Sequence, residues 1–172
     1  MAKKAPLKGL PPIVDRSSRV LVLGSFPSII SREKREYYAH PRNYFWEIIA
    51  GVVGERTPVT YRRKKALLKK HKIGLWDIVG SCYLEGTQDS MIRGPALNDI
   101  AGLLIKYPNI KAVFLGGKKA YSLFKRRYPA LKVPCECLPS TSPANAGQSL
   151  GSKKSEWEKI IRINNKCCPS KR

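Results

Sequence analysis

Residues 19–46 read RVLVLGSFPSIISREKREYYAHPRNYFW, and the start of this stretch decides the fold. Residues 20–23 (VLVL) form a short, branched apolar run, which is typical of a parallel strand covered on both faces. The following GSFPS ends the strand, because Gly24 permits a tight turn or a close ligand approach and Pro27 cannot continue a sheet. Ligands of open α/β sheets bind at this carboxyl edge of the strands. The sequence therefore predicts a functional site directly after residue 23.

Aromatic rings crowd the next segment, residues 37–46 (YYAHPRNYFW), together with a His, an Arg and an Asn. Flat rings beside polar donors suit a planar heterocyclic ligand. A helix is expected over residues 44–53, with Phe45, Ile48 and Ile49 on its inner face. On this pattern Trp46 belongs to the core rather than to a ligand site.

Strand and helix patterns alternate along the rest of the chain. Buried strands are expected at residues 73–79, 112–115 and 133–138, and helices at residues 56–72, 95–107, 120–128 and 153–163. Residues 80–89 are expected to form a loop at the carboxyl edge. This order predicts an α/β fold, a three-layer α/β/α domain around a central, mostly parallel, four-stranded sheet.

Charge gives an independent indication of the partner. The 172 residues contain 33 Lys and Arg against 12 Asp and Glu, a net charge of +21. So large an excess indicates a polyanion, most simply nucleic acid, because acidic residues would serve solubility alone better. The densest run, residues 56–72, includes Arg62, Arg63 and Lys64, and it is either a solvated face or a surface along a phosphate backbone.

Membrane, secreted and metal-binding classes are disfavoured. No apolar run approaches the roughly 20 residues of a membrane span, and we expect an intracellular protein, cytoplasmic in a prokaryote or nuclear in a eukaryote. The five cysteines lack C-x-x-C spacing, which favours reduced thiols over a disulfide framework or a metal site. We expect a flexible basic arm at residues 1–18, one domain at residues 19–164 and a basic tail at residues 165–172.

Three ordered motifs carry a family resemblance. The first is GSFPS followed by YYAHPRNYFW, the second is GLWDIV (residues 74–79) with Cys82 and Asp89-Ser90, and the third is LPSTSPAN (residues 138–145). They resemble the uracil-DNA glycosylase superfamily, and within it the hypoxanthine-DNA glycosylase family. The resemblance covers residues 20–157 and implies a DNA glycosylase that needs no metal and no cofactor.

The resemblance implies roles for particular residues. Tyr38 matches the aromatic residue that stacks on a flipped base, and the base site would comprise Gly24, Ser25, Phe26, Pro27, Ser28, Tyr38, His40, Asp89 and Ser90. The loop that enters the duplex would comprise Ser140, Thr141, Ser142, Pro143, Ala144 and Asn145, with Lys118 at a neighbouring turn. Structural roles compete throughout: core packing for Tyr38, a satisfied side chain for His40, helix capping for Asp77 and Asp89, and an ordinary turn for the last loop.

The chemistry implied by the resemblance directs attention to Asn43. Breaking the bond between a base and deoxyribose passes through a sugar with oxocarbenium character, so the enzyme must hold both the leaving base and a water. Most of the superfamily places an Asn or Asp at the third position of the first motif, where this chain has Phe26. The nearest replacement is Asn43, the residue thought to act in the hypoxanthine family. An amide positions water but is a poor base, and Asn43 could instead fix its own loop.

The sequence therefore predicts a monomeric, monofunctional DNA glycosylase that acts on deaminated bases, hypoxanthine first and uracil or xanthine second, in double- or single-stranded DNA. A Schiff-base lyase is disfavoured because no lysine and no helix-hairpin-helix pattern stands out. A catalytically silent nucleic-acid-binding module with the same fold is the main rival, since Phe26 replaces the usual polar residue. An enzyme of free nucleosides is less consistent with the net charge of +21.

Overall fold

The structure is a computed structural model that describes residues 5–84, 92–145 and 147–166. The strands are β1 (Leu7–Lys8), β2 (Val20–Gly24), β3 (Ile73–Asp77), β4 (Val79–Leu84), β5 (Ile92–Leu97), β6 (Ala112–Gly116) and β7 (Cys135–Leu138). The helices are α1 (Ile29–Lys34), α2 (Phe45–Val52), α3 (Tyr61–Lys70), α4 (Ile100–Lys106), α5 (Lys118–Arg127), α6 (Leu150–Trp157) and α7 (Lys159–Lys166). Within these ranges no helix is long and apolar enough to cross a membrane.

A four-stranded parallel sheet in the order β3-β2-β6-β7 forms the centre of the fold. Residues 20–23 of β2 are fully buried, because β2 is an inner strand with helices over both faces. Burial of each Leu or Val side chain there stabilises the fold by about 2 kcal/mol. The three-layer α/β/α architecture expected from the sequence is confirmed.

Two apolar cores cover the two faces of the sheet. Val20 and Val22 face one core, which contains Phe45 and Trp157, and Leu21 and Leu23 face the other. This alternation follows from the period of a strand, in which successive side chains point to opposite faces. Trp46 lies in the first core, as its place on the inner face of α2 predicts.

A second, antiparallel sheet of order β1-β4-β5 was not expected from the sequence. Residues 80–84, predicted as loop, continue β4 and pair with β5. The helix predicted over residues 95–107 is wrong in its first part, since β5 runs to Leu97 and α4 begins at Ile100. Asp99 caps that helix by accepting a hydrogen bond from the Gly102 N–H at 2.9 Å, which fixes its start.

The amino-terminal segment is held to the domain from residue 7 onwards, so the flexible arm expected over residues 1–18 does not describe it. Strand β1 pairs with β4, and Ile13 forms a bridge with Leu75 of β3. The Leu10 carbonyl accepts hydrogen bonds from the Tyr37 hydroxyl at 3.1 Å and the Trp76 indole N–H at 3.1 Å. This segment therefore covers the aromatic residues near the carboxyl edge.

Other element boundaries also differ from the sequence expectation. The short helix α1 lies between GSFPS and the aromatic segment, where no helix was expected, and α3 begins at Tyr61 rather than at residue 56. The single closing helix expected over residues 153–163 is two helices, α6 and α7, which meet at Glu158. Lys166 still belongs to α7, so the tail expected from residue 165 begins within a helix.

Candidate active site at the carboxyl edge

Gly24, the last residue of β2, makes room for two side chains. It lies beside Asp77 in the register of β2 and β3. A Cβ atom on Gly24 would overlap the Asp77 carboxylate oxygen and stand 3.0 Å from the Tyr38 hydroxyl oxygen. The sequence suggested that Gly24 permits close approach of a ligand, but the space beside it is occupied by Asp77 and Tyr38. We call this place the Gly24 notch.

Tyr38 lies across the ends of β2 and β6. Its hydroxyl oxygen is 3.8 Å from the position that a Cβ on Gly116 would take, and its ring stacks on Phe45 with centroids 3.9 Å apart. The backbone of Tyr38 has φ of 52°, a left-handed conformation that is uncommon for a bulky residue and that marks functional sites. One ring face therefore packs on the core, and the half-buried residue stays at the strand ends.

Asp77 is a buried carboxylate at this edge, and it is absent from the set of site residues expected from the sequence. Its backbone carbonyl accepts a hydrogen bond from the Asn98 side-chain amide at 2.8 Å, while its carboxylate reaches the Gly24 notch. Burial, and to a lesser extent the charge of Asp77, raises the pKa of Tyr37, whose hydroxyl stays protonated and donates to Leu10. The sequence left two roles open for Asp77, a structural cap and a polar group that faces the ligand.

Side chains of the GSFPS turn mostly serve the fold. Phe26 is 8% exposed and packs in the second core, with the Arg32 guanidinium carbon 5.8 Å from its ring centroid. Ser28 caps α1, because its hydroxyl accepts a hydrogen bond from the Ser31 N–H at 3.2 Å. Ser25 and Pro27 are buried, and the Ser25 carbonyl accepts from the Val79 N–H at 3.0 Å. The base contacts expected here therefore depend on backbone groups of the turn.

Asn43 has its side-chain oxygen engaged and its amide group oriented. The Oδ1 atom accepts hydrogen bonds from the Phe45 N–H at 3.0 Å and from the Thr141 hydroxyl at 2.9 Å. These two bonds use the two lone pairs of the oxygen, so what Asn43 can offer a ligand is the pair of N–H donors on Nδ2. The local role that the sequence left open, in which Asn43 fixes its own loop, is thus present, and it holds the amide in one orientation.

The third motif docks on the aromatic segment through Thr141. Thr141 is 3% exposed, and its carbonyl accepts a hydrogen bond from the Tyr44 N–H at 3.2 Å. Because the Thr141 hydroxyl is buried against Asn43, the expected contact of this residue with DNA would have to come from its backbone, and that contact stays a prediction. Ser142, Pro143 and Asn145 are half-buried and Ala144 is exposed in the same loop.

Hydrogen bonds within the loop of residues 139–145 hold its shape. The Ser140 hydroxyl accepts from the Ser142 N–H at 3.2 Å, and the Asn145 side chain donates to the Ser140 carbonyl at 3.2 Å. Gly117 has φ of 112° and would place a Cβ 3.2 Å from that of Ser140, so a side chain there would crowd the loop. Lys118, the first residue of α5, follows this contact and lies exposed at the same edge.

His40 turns its ring toward its own backbone. Its Nδ1 accepts a hydrogen bond from the Arg42 N–H at 3.1 Å, so the neutral ring carries its proton on Nε2. The half-buried ring can therefore present one N–H donor to the outside. This is the local structural role that the sequence left open for His40, and the Nε2–H group can still donate a hydrogen bond.

The basic run on α3 divides into two halves. Arg62 and Arg63 are exposed in the first turn, which adjoins the aromatic segment through the Tyr61 hydroxyl that accepts from the Tyr37 N–H at 3.2 Å. Lys64 places its ammonium 5.6 Å from the Trp46 ring centroid. Lys69 and Lys70, in the last turn, pair with acidic residues, Asp15 at 3.8 Å and Glu55 at 2.8 Å.

Some predicted positions lie outside the described residues. These positions are Asp89, Ser90, Cys167 and Cys168. The thiols of Cys82, Cys135 and Cys137 form no disulfide. Among the described His, Cys, Asp and Glu residues, no group of three or more is placed to hold a metal ion.

The chain is similar in sequence and in structure to known proteins. Residues 11–164 match the family model of the uracil DNA glycosylase superfamily. Two relatives described as hypoxanthine DNA glycosylase, from Methanosarcina barkeri and Methanosarcina acetivorans, are each 35% identical over 156 residues, which cover 90% of this chain and 98% of theirs. A solution NMR structure from Methanosarcina acetivorans, described provisionally as a uracil DNA glycosylase, superposes with a TM-score of 0.82 at 33% identity and covers 94% of this chain and 99% of that one.

Proposed function

Because the chain belongs to the uracil DNA glycosylase superfamily, we propose that it is a DNA glycosylase that removes deaminated bases, hypoxanthine first and uracil or xanthine second. The observation that carries the proposal is the docking of Thr141 on Asn43, which joins the first and third motifs beside the strand ends. The names of the two Methanosarcina relatives support hypoxanthine as the first substrate to test.

The proposed mechanism needs the target base to leave the stack. A base swung out of DNA would enter between Tyr38 and the GSFPS turn, where backbone groups and flat rings are available to hold it. The N-glycosidic bond would then lengthen toward a sugar cation and a departing base with negative charge. Electrostatic stabilisation of that charge is the largest contribution a site of this kind can make.

Asn43 would act through its amide N–H groups. Since Oδ1 is engaged by Phe45 and Thr141, Nδ2 can donate to the oxygen of a water held near the anomeric carbon. That contact positions the water without removing its proton, so attack would come late, on a sugar that already has cationic character. The proposal thus implies slow, dissociative hydrolysis with no metal or cofactor and no covalent lysine intermediate.

Asp77 suggests how hypoxanthine and uracil would be distinguished from the adenine and cytosine from which they form. Hypoxanthine and uracil carry a ring N–H next to a carbonyl, whereas the matching ring nitrogen of adenine or cytosine is an acceptor. A carboxylate at the Gly24 notch can accept a hydrogen bond from that ring N–H and would repel an acceptor. We propose Asp77 as a base-reading residue of the site.

Asn43→Ala tests the proposed function. Oligonucleotides with one hypoxanthine, uracil or xanthine, single- or double-stranded, are incubated with the protein and heated in alkali to break the strand at abasic sites. We expect wild-type cleavage at hypoxanthine, and at least about a tenfold lower rate for Asn43→Ala, with affinity for undamaged duplex nearly unchanged. Asn109→Ala is the matched control, because Asn109 is an exposed Asn whose side chain donates to the Arg16 carbonyl.

The same assay distinguishes the proposed enzyme from the main alternative. A silent nucleic-acid-binding module with this fold is favoured by Phe26, whose buried ring cannot hold a water. Such a module would bind duplex and cleave none of the modified bases, whereas the enzyme would leave an unbroken abasic strand before the alkali step. Strand breakage without alkali would instead contradict the monofunctional assignment.

A further inference from the structure

Lys153 is buried in a protein whose other basic side chains are mostly at the surface. It lies in α6, is 2% exposed and ranks among the largest fully buried side chains. Removing an ammonium group from water is costly unless hydrogen bonds compensate, and the burial lowers the pKa of Lys153 for the same reason. A buried lysine at this place therefore needs an explanation.

The Lys153 ammonium contacts both loops of the candidate active site. It donates a hydrogen bond to the Asn145 carbonyl at 2.7 Å, at the end of the third motif. It also stands 6.0 Å from the ring centroid of Tyr44, at the start of α2. These two contacts are the polar and aromatic groups that face the buried ammonium.

Hydrogen bonds connect Lys153 to Asn43. Asn145 donates through its side chain to the Ser140 carbonyl at 3.2 Å and through its backbone N–H to the Ser142 carbonyl at 3.0 Å. Thr141 lies between these two acceptors and donates its hydroxyl to Asn43 Oδ1 at 2.9 Å. The position of the loop thus determines how firmly Thr141 holds the Asn43 amide.

We propose that Lys153 is a positioning residue, whose ammonium holds the loop of residues 139–145 onto the aromatic segment so that Thr141 fixes the Asn43 amide with its N–H groups toward the substrate. The inference rests on the proposed function, in which Asn43 acts at the substrate. If the buried charge served stability alone, an apolar side chain of similar volume could replace it without loss of activity. The positional role predicts a loss of activity from the same replacement.

Lys153→Met tests this role against Lys154→Met. Met has a similar volume and no charge, and Lys154 is a half-exposed neighbour on the same helix that pairs with Glu47 at 3.6 Å. Hydrogen exchange of the Tyr44 backbone N–H, which donates to the Thr141 carbonyl, reports loop docking without requiring activity. We expect exchange at Tyr44 about tenfold faster in Lys153→Met and unchanged in Lys154→Met.

Kinetics give the second readout. We expect kcat for hypoxanthine removal to fall about tenfold in Lys153→Met with KM within about twofold of wild type, because Asn43 is misplaced while the DNA surface remains. Lys153→Gln, which retains an N–H donor, should recover part of both the exchange protection and kcat. It also serves as the test variant if the Met variant does not fold.

The outcomes are distinguishable. Unchanged Tyr44 exchange in Lys153→Met overturns the inference, whatever the activity. Faster exchange with wild-type kcat also overturns it, because the loop would then be loosened without effect on Asn43. A wild-type chain that cleaves none of the modified bases defeats the proposed function, while exchange at Tyr44 still decides whether Lys153 holds the loop.

Discussion

Gly24 shows how one missing side chain organises the candidate site. Its hydrogen atom faces a space that Asp77 and Tyr38 fill from two different parts of the chain. The Gly24 carbonyl accepts a hydrogen bond from the Ile78 N–H at 2.9 Å. Moving the Gly24 backbone away from Asp77 and Tyr38 would therefore strain this bond. Any added carbon must displace a buried carboxylate or a ring stacked on Phe45.

Gly24→Ala is therefore expected to destabilise the fold by about 2 kcal/mol or more, because overpacking a buried site forces side chains from their positions. Gly51→Ala is the control. Gly51 lies exposed in α2, where a Cβ would meet the flexible Lys154 side chain, and Ala should stabilise that helix by about 0.5 kcal/mol. Urea unfolding of both variants measures the difference, and equal midpoints would contradict the account of the notch.

Residue chemistry at the site was only partly predictable from sequence. Asn43 stood out because Phe26 cannot hold water, and its role at the substrate stays a prediction. The structure shows its side-chain oxygen bonded to Thr141 of the third motif. The Thr141 hydroxyl, in the loop expected to enter the duplex, is buried, since a local pattern of Ser, Thr and Pro does not reveal which hydroxyl turns inward. The sequence leaves Asp77 open between a structural cap and a polar group that faces the ligand, because its pairing with Gly24 is a long-range contact without local signal.

Among the elements, α3 best illustrates how tertiary pairing divides a uniform sequence pattern. Its Lys and Arg residues look equivalent in the sequence, yet Asp15 and Glu55 are positioned to pair with Lys69 and Lys70. Arg62 and Arg63 lie at the other end of the helix, near the aromatic segment. The first turn is thus the half of the helix suited to phosphate contacts.

Arg62→Ser combined with Arg63→Ser is expected to weaken binding to duplex DNA and to reduce the slope of log affinity against log salt by about 1.8, or about 0.9 for each lost phosphate contact. The matched change, Lys69→Ser with Lys70→Ser, should leave the slope nearly unchanged because those cations already have acidic partners. Binding titrations at several salt concentrations make the comparison. Equal slopes in both double variants would contradict the division of the helix.

The connection between α2 and α3 gives a pH dependence. Hydrogen bonds from Lys70, and then from His71, lower the pKa of Glu55 below its ordinary value of 4.5. A lowered carboxyl pKa in the folded state contributes stability above pH 4.5, and that contribution is lost as the pH falls through the folded value. Glu55→Gln should lower the melting temperature at pH 7, and its difference from wild type should shrink as the pH falls below 4.5. Thermal melts of Glu55→Gln between pH 7 and acid pH measure this change. The control is Glu33→Gln at an exposed position, which is expected to have little effect throughout this range.

Element prediction failed where two patterns overlapped. Leu97, Ile100, Leu103 and Leu104 have helical spacing, so the helix was extended back to residue 95. In the structure Leu97 ends a strand, and the Asp99 cap starts the helix after it. Buried runs such as residues 20–23 and 112–115 were predictable because an all-apolar segment between turns fits an inner parallel strand.

For the molecule as a whole, charge and fold were the most predictable properties. With 33 basic and 12 acidic residues, pairing can neutralise only a minority of the cations, so a polyanion partner follows from the composition. The alternation of strands and helices predicted the parallel sheet. The small antiparallel sheet was not predictable, because it pairs residues near 8 with residues near 81, a contact without local signal.

Trp157 connects helix α6 to the candidate site. Its indole N–H donates to the Pro139 carbonyl at 3.0 Å, and its ring meets Phe45 edge-on with centroids 5.8 Å apart. Proteins emerge from the ribosome amino end first. A nascent chain whose α6 has not yet left the ribosome therefore lacks both Trp157 and Lys153 at the candidate site, and we expect the loop of residues 139–145 to dock on the aromatic segment only after α6 has emerged.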